Sequence, residues 1–352
     1  MTGRYGTIGQ VFFVEEDFWP LNTTLYVRDF KGNDKRFISY FLRSLDFQSF
    51  NDKSSVPGLN RNDLHRYEVT IPPHSEQRAI PGVLGALDDK IEQNRRTARA
   101  LERLARAIFR AWFVDFEPVK AKAAGAVSFP SMPQPVFDAL PARFVDSEIG
   151  LVPEGWEVGT LENISRQVRE GVKPNEIDPA TPYIGLEHMP RRSIALTDWE
   201  HAGKVSSGKS RFRTNQILFG KLRPYFHKVG VAPIDGVCST DIVVMESRSP
   251  GLLALTLGHA ASDHFVAYTT ASSTGTKMPR TSWADMSRYQ IAVPPQDTAD
   301  ALNTLILPIV NFLTVGIFES RKLAELRDYL LPKLLSGQVR AREAETLTEA
   351  VA

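Results

Sequence analysis

Cations, amides and hydroxyls gather with glycine and aromatic residues in two stretches of this chain. One is Gly220-Lys221-Leu222-Arg223-Pro224-Tyr225-Phe226-His227-Lys228; the other is Thr274-Gly275-Thr276-Lys277-Met278-Pro279-Arg280-Thr281. Two similar stretches lie near the N-terminus, Gly3-Arg4-Tyr5-Gly6-Thr7 and Ser54 to Asn62. Arginine and lysine can take guanine edges, asparagine and glutamine can take adenine, and threonine and lysine hold phosphates. Side chains of these types in loops suit binding more than catalysis. The candidate contacts are Lys221, Arg223, Lys228, Lys277, Arg280 and Thr281, with Arg4, Asn60, Arg61 and Asn62 in the N-terminal stretches. A surface or capping role is the alternative for each, because no helix-to-groove register can be read from the sequence.

Charge distribution points the same way. The chain of 352 residues has a net charge of +1, yet no acidic residue falls between Glu200 and Asp235, where seven lysines and arginines do. A local basic patch on a near-neutral protein is a footprint that a phosphate backbone selects, and a solvated loop face is the alternative. Gly203-Lys204-Val205-Ser206-Ser207-Gly208-Lys209-Ser210 satisfies the P-loop pattern. A P-loop needs a buried strand before it and a helix after it. Here the preceding residues are polar and the following ones read as turn and strand, so an NTPase is a minor alternative. Pro72-Pro73 and Pro294-Pro295 lack the polar and aromatic flanks of an amino-methyltransferase motif. The one cysteine, Cys238, and seven scattered histidines give no zinc spacing and suit the cytosol. No cofactor is expected. No apolar run approaches about 18 residues, so no membrane span is expected.

These loops must be positioned by something, and the chain supplies it twice. Pro57, Asp63, Arg66, Tyr67, Pro72-Pro73 and Leu101 recur as Pro279, Asp285, Arg288, Tyr289, Pro294-Pro295 and Leu323, all at one constant offset. A period that long marks a duplicated module, not a solenoid repeat. Residues 1–70 read as short strands with turns, notably Thr7 to Val14 and Asn22 to Val27, with a helix from Phe37 to Phe47. Ile80, Leu84, Leu87, Ile91, Asn94, Ala98, Leu101, Ala105, Ile108 and Trp112 are spaced 4,3,4,3, a heptad seam predicting a helix from about Ser75 to Trp112. Arginines cover its other faces. Leu302 to Leu330 repeats the seam, weakened by Gly316 and Glu319. Two such helices most simply pair antiparallel; two separate helices, each covering its own domain, are the alternative.

Taken together these residues resemble the specificity subunit of type I restriction–modification systems. The resemblance rests on Asp17-Phe18-Trp19-Pro20-Leu21-Asn22-Thr23-Thr24-Leu25, Val56 to Leu64, Glu76 to Ile91, and Ala111-Trp112-Phe113-Val114-Asp115-Phe116. In the second copy it rests on Leu151-Val152-Pro153-Glu154-Gly155-Trp156, Leu218 to Tyr225 and Leu331 to Gly337. It implies an α+β fold with two target recognition domains separated by a pair of long antiparallel helices forming a coiled coil. It also implies a non-catalytic cytoplasmic subunit that reads a bipartite site in double-stranded DNA and positions methyltransferase and motor–nuclease subunits. The expected divisions are 1–74, a partial first recognition domain; 75–115, the first long helix; 116–149, a linker; 150–295, the second recognition domain; 296–337, the second long helix; and 338–352, a frayed tail. Gly3-Arg4-Tyr5-Gly6 matches the loop at Gly220, whereas the second copy already begins near Leu151. The first recognition domain is therefore expected to lack an N-terminal segment equivalent to most of 151–219. A scaffold that holds partners without reading DNA is the alternative function.

Overall fold

The computed structural model describes residues 1–4, 7–47 and 58–349, which divide between two units: Met1–Asn94 with Glu319–Ala352, and Arg95–Phe318. The fold is α+β. In the first unit, β1 (Thr2–Gly3) pairs antiparallel with β2 (Thr24–Leu25), and Thr2 also bridges Val11. The strand predicted over Thr7 to Val14 is reduced to that one bridge and the neighbouring Met1–Phe12 hydrogen bonds, with Phe12 and Val14 exposed. α1 (Lys35–Arg43) starts at Asp34, whose carboxylate accepts from the Phe37 amide, a normal N-cap. α2 (Arg61–Leu64) is one turn. α3 (His74–Phe113) is 40 residues long, one residue longer at each end than the seam predicts. Pro81 lies at the end of its second turn, where few intrahelical bonds are lost. Gln77, almost fully buried, donates to the Asn33 side chain and the Pro72 carbonyl and so fixes the start of α3 to the preceding loop.

The second unit begins within α3. Residues 116–149, expected to be a linker, instead fold: α4 (Glu117–Ala123), α5 (Gln134–Ala139) and the hairpin of β3 (Phe144–Ser147) with β4 (Gly150–Pro153). Val119, Met132, Phe137 and Leu140 are buried in one core with Trp112, Phe113 and Trp156. Their spacing among prolines and alanines has neither helical nor strand period, which hid them. β5 (Glu157–Thr160) is followed by α6 (Leu161–Ile164), β6 (Ser165–Val168), β7 (Gly171–Val172), β8 (Pro182–Ile184), β9 (Glu200–His201), β10 (Lys209–Phe212), β11 (Ile217–Gly220), β12 (Val229–Val231), β13 (Gly236–Cys238) and β14 (Ile242–Ser247). They form a five-stranded sheet ordered β7-β10-β13-β8-β9, and an antiparallel sheet ordered β12-β11-β14-β6. β11 is buried along its whole length, as a central strand between two neighbours must be. α7 (Leu253–Ala260), α8 (Asp263–Ala271) and α9 (Trp283–Met286) precede β15 (Gln290–Val293), which pairs with β5.

α10 (Gln296–Leu335) is also 40 residues long, and each of its ends follows the matching end of α3 by the same offset as the sequence repeat. Leu302, Ile306, Ile309, Val310 and Leu313 join Ala105, Ile108, Phe109 and Trp112 of α3 in the core of the second unit. By length and composition α10 is apolar enough to cross a membrane, with an 18-residue window of mean hydropathy 1.9. The core helix of a soluble protein meets the same measure, and Asn303, Thr304, Pro308, Asn311 and Thr314 interrupt the apolar run without adding charge.

Within the first unit the two long helices pair antiparallel. Asn94 donates to Glu319 at 2.6 Å and to Ser320 at 3.2 Å, while Asp88 accepts from Arg327 at 2.7 Å, so α3 descends as α10 rises. Ile80, Val83, Leu84, Leu87 and Ile91 pack with Phe37 and Tyr40 of α1 and with Leu323, Leu330, Leu331 and Leu334 of α10. Glu319, which weakens the seam in sequence, is held by Asn94 and by Lys90 at 3.4 Å. Asp88 also accepts from Tyr40 at 2.8 Å and Arg43 at 3.1 Å. Burial opposes its ionisation, but the hydrogen bonds from Arg327 and Tyr40 outweigh it and keep its pKa below the usual carboxylate value. The tail expected to fray forms α11 (Ala341–Glu349), with Ala341 and Ala344 buried in this cluster. Two alanines one turn apart are enough to seat it, and too weak a signal to announce it. The unit boundaries fall inside both long helices and not at the predicted ends of residues 75–115 and 296–337.

Candidate nucleic-acid interface

The end of β11 lies beside the start of β14, and the loop that leaves β11 there meets the loop that follows α8. After Gly220, the Lys221 amide donates to the Asp241 carbonyl at 2.9 Å, and the Lys221 carbonyl accepts from the Thr281 amide at 3.1 Å. Leu222 bridges Arg280. Arg223 adopts a left-handed conformation (φ 50°), and its amide donates to Pro279 at 2.7 Å. The second loop is closed by reciprocal Thr274–Arg280 backbone bonds of 3.0 and 2.9 Å, with Gly275 at φ +95° making the turn that an L side chain would strain. Lys277 and Met278 stand exposed at its tip.

Side chains complete the junction. Arg280 pairs with Asp241 at 3.2 Å. The Arg223 guanidinium lies over the Phe226 ring at 5.9 Å, and its Nε is buried with no hydrogen-bond partner among the described residues. A buried donor of that kind is uncommon without something to satisfy it. Arg191 sits over the same ring at 4.0 Å, and Tyr225 packs edge-on against it at 4.9 Å while half exposed. Arg192, also left-handed, pairs with Asp263 at 2.9 Å. Arg191 and Arg192 were not among the sequence candidates; the basic turn Met189-Pro190-Arg191-Arg192 was the signal available.

Two candidates point inward. The Lys228 ammonium donates to the Leu186 carbonyl, and burial, then the nearby Arg191, lowers its pKa. Thr281 is 3% exposed, with its hydroxyl buried. The structure therefore brings Lys221, Arg223, Lys277 and Arg280 together with Arg191 and Tyr225, and assigns Lys228 and Thr281 to the support beneath them.

Buried Glu102 of α3 anchors the neighbouring turn, accepting from Ser193 Oγ at 2.7 Å and from the Ala195 amide at 3.0 Å. Gly258 of α7 faces Phe109 so closely that an added Cβ would lie 2.1 Å from the ring.

In the first unit the Arg4 amide donates to Thr23 at 2.8 Å and its carbonyl accepts from the Leu59 amide at 3.0 Å. Asn60 caps α2, its side chain accepting from the Asn62 amide at 2.9 Å, and Arg61 and Asn62 are on the first turn, Arg61 exposed. Tyr5, Gly6 and Ser54 to Pro57, part of the predicted loops, lie outside the described residues.

The P-loop reading is overturned. Lys209 opens strand β10 instead of a helix, is 8% exposed, and donates to the Ser207 carbonyl and hydroxyl at 2.9 and 2.7 Å. Among the described residues no group of three or more His, Cys, Asp or Glu could hold a metal ion.

Fold and site together define an α+β binding module built on paired long helices, with a cationic loop surface. The sequence profile of the Type I restriction modification DNA specificity domain matches residues 1–103. The chain is 24% identical over 307 residues to the type I restriction enzyme MjaIX specificity subunit of Methanocaldococcus jannaschii, covering 82% of this chain. It spans 65% of that relative's length. It is 22% identical over 353 residues to the HindI specificity subunit of Haemophilus influenzae, covering 81% of this chain and 72% of the relative. The crystal structure of the type I restriction–modification S subunit from M. genitalium superposes with a TM-score of 0.49 at 14% identity, covering 85% and 72% of the two chains. The chain is thus similar to the specificity subunits of type I restriction–modification systems.

Proposed function

We propose that this chain is the DNA-recognition subunit of a type I restriction–modification complex, reading a bipartite target without catalysing a reaction itself. The observation that carries the reading is the hydrogen-bonded junction of the 220–228 and 274–281 loops, which gathers Lys221, Arg223, Lys277 and Arg280 beside Arg191 and Tyr225. Guanidinium forks and ammonium groups on a shared surface suit base edges and phosphates. Arg4, Arg61 and Asn62 would serve the other half-site from the first unit, with Asn60 setting the turn that presents them.

Methyltransferase subunits, and through them a motor–nuclease subunit, are the partners this reading supplies. Between Asp300 and Glu319 α10 has no charged residue, and Phe312 and Val315 are exposed there at 51% and 66%. An uncharged stripe on a helix is a surface that an apolar helix of a partner can cover. The reading places the protein where the DNA is, in the cytoplasm and off the membrane.

The test is duplex binding by the full chain carrying Arg223→Ala with Lys277→Ala, measured across salt concentrations. Weaker binding with a shallower salt dependence is expected. Unchanged affinity and slope would make this pair structural and remove the reading.

A further inference from the structure

We propose that the Arg95–Arg106 face of α3 is a second, sequence-independent DNA contact that holds the phosphate backbone of the duplex read by the adjoining loops. The proposal rests on the function proposed above and adds a site that the loops do not include. Arg95, Arg99, Arg103, Arg106 and Arg110 recur at alternating one-turn steps, all inside the helical part of the second unit. That spacing puts them on one helical face. At 1.5 Å per residue the row is about 22 Å long. A duplex strand advances about 3.4 Å per phosphate, so the row faces about six phosphates.

Along α3 itself few acids accompany this row. From Arg95 to Phe113 the only acidic residue is Glu102, which is buried and bonded to Ser193 and Ala195. Asp115 takes Arg110 at 2.8 Å. Arg95 and Arg103 are exposed and make no hydrogen bond or ion pair among the described residues. Earlier in the same helix the pattern differs, with Asp88, Asp89 and Glu92 interleaved with Lys90. Like charges one turn apart oppose helix formation, so folding alone does not select the row. Its far end is continuous with the loop surface: Arg106 donates to the Arg192 carbonyl at 3.0 Å, next to Arg191 over Phe226. A duplex seated on the loops would meet this face as a track of positive charge.

The test uses the full chain with Arg95, Arg99 and Arg103 all changed to Gln, and a second variant with all three changed to Lys. Arg, Gln and Lys have similar helix propensities, so both variants should keep the helix, which circular dichroism checks. Affinity is measured against salt on two duplexes of unlike base composition. The Gln variant should weaken binding to both by a similar factor and flatten the slope of log K against log salt by about 2 to 3, one unit per lost phosphate contact. The Lys variant should keep most of the slope. If wild type binds and the Gln variant matches it in affinity and slope, this proposal alone fails. It fails equally if only one of the two duplexes is affected, since the face would then read bases. If wild type binds neither duplex, the function proposed above fails and takes this site with it.

Discussion

Arg4 and Lys221 occupy equivalent backbone positions in two copies of one module. Arg4 donates to Thr23 and accepts from Leu59; Lys221 donates to Asp241 and accepts from Thr281. Leu59 and Thr281 are separated by the same offset as α2 and α9, and as α3 and α10. The duplication is thus preserved down to individual hydrogen bonds, and each pair of bonds ties a cation-bearing loop to the residues just before a one-turn helix, α2 or α9. Thr281→Pro removes the amide that Lys221 uses and should loosen the loop at a cost of about 1–3 kcal/mol, read as lowered thermal stability. Lys221→Ala keeps the backbone bonds and should lower duplex affinity while leaving the melting temperature in place.

Asp88 joins α1, α3 and α10 by accepting from Tyr40, Arg43 and Arg327. Asp88→Ala takes the shared acceptor from Tyr40 and Arg43 and leaves Arg327 with Asp328 alone. Removing one partner of a buried pair costs about 3–5 kcal/mol; the Asp88 and Arg327 side chains are 26% and 22% exposed, which places the loss nearer about 2 kcal/mol. Because the folded-state pKa lies below the unfolded one, the carboxylate stabilises the fold above about pH 4, and that contribution disappears as pH falls through the depressed value. Urea unfolding at several pH values should show a smaller acid-side loss in Asp88→Ala than in wild type.

His259 titrates in the opposite chemical sense with the same pH direction. It is fully buried against Phe109 at 5.0 Å, and burial lowers its pKa to about 3. The unfolded chain takes up a proton near pH 6.5 and the folded chain does not, so stability is complete above about pH 6.5. Below that it declines by up to about 1.4 kcal/mol per pH unit. Scanning calorimetry should find this decline between about pH 6.5 and 4 in wild type, and a flatter profile in His259→Leu.

Gly258 allows α7 to lie against the Phe109 ring of α3. Gly258→Ala forces a Cβ into that ring and should destabilise the second unit by about 1–3 kcal/mol, although alanine is the better helix former. A raised melting temperature would show that the contact relaxes freely.

The long helices were legible because a heptad seam is a local pattern repeated without interruption; the ends of α3 moved by one residue at each side. Residues 116–149 were not legible, since Val119 and Phe137 are isolated anchors whose burial depends on Trp112 and Trp156 outside the segment. Thr7 to Val14 has strand-like residues, yet a strand needs a neighbour along its length and this one meets only Met1 and Thr2, at Val11 and Phe12. Among the site residues, cation-rich loops could be named from composition. That Arg223 and Lys277 share a surface while Lys228 turns toward Leu186 depends on contacts between segments distant in the chain, which no local pattern encodes.

The claim on which the account depends is that each copy of the module reads its own half of a target. The measurement is to assemble the chain with its methyltransferase subunits, exchange residues 275–279 for an unrelated loop, and sequence the sites that become methylated. One half of a bipartite target should change while the other half is retained. Loss of both halves together, or an unaltered target, would contradict the account.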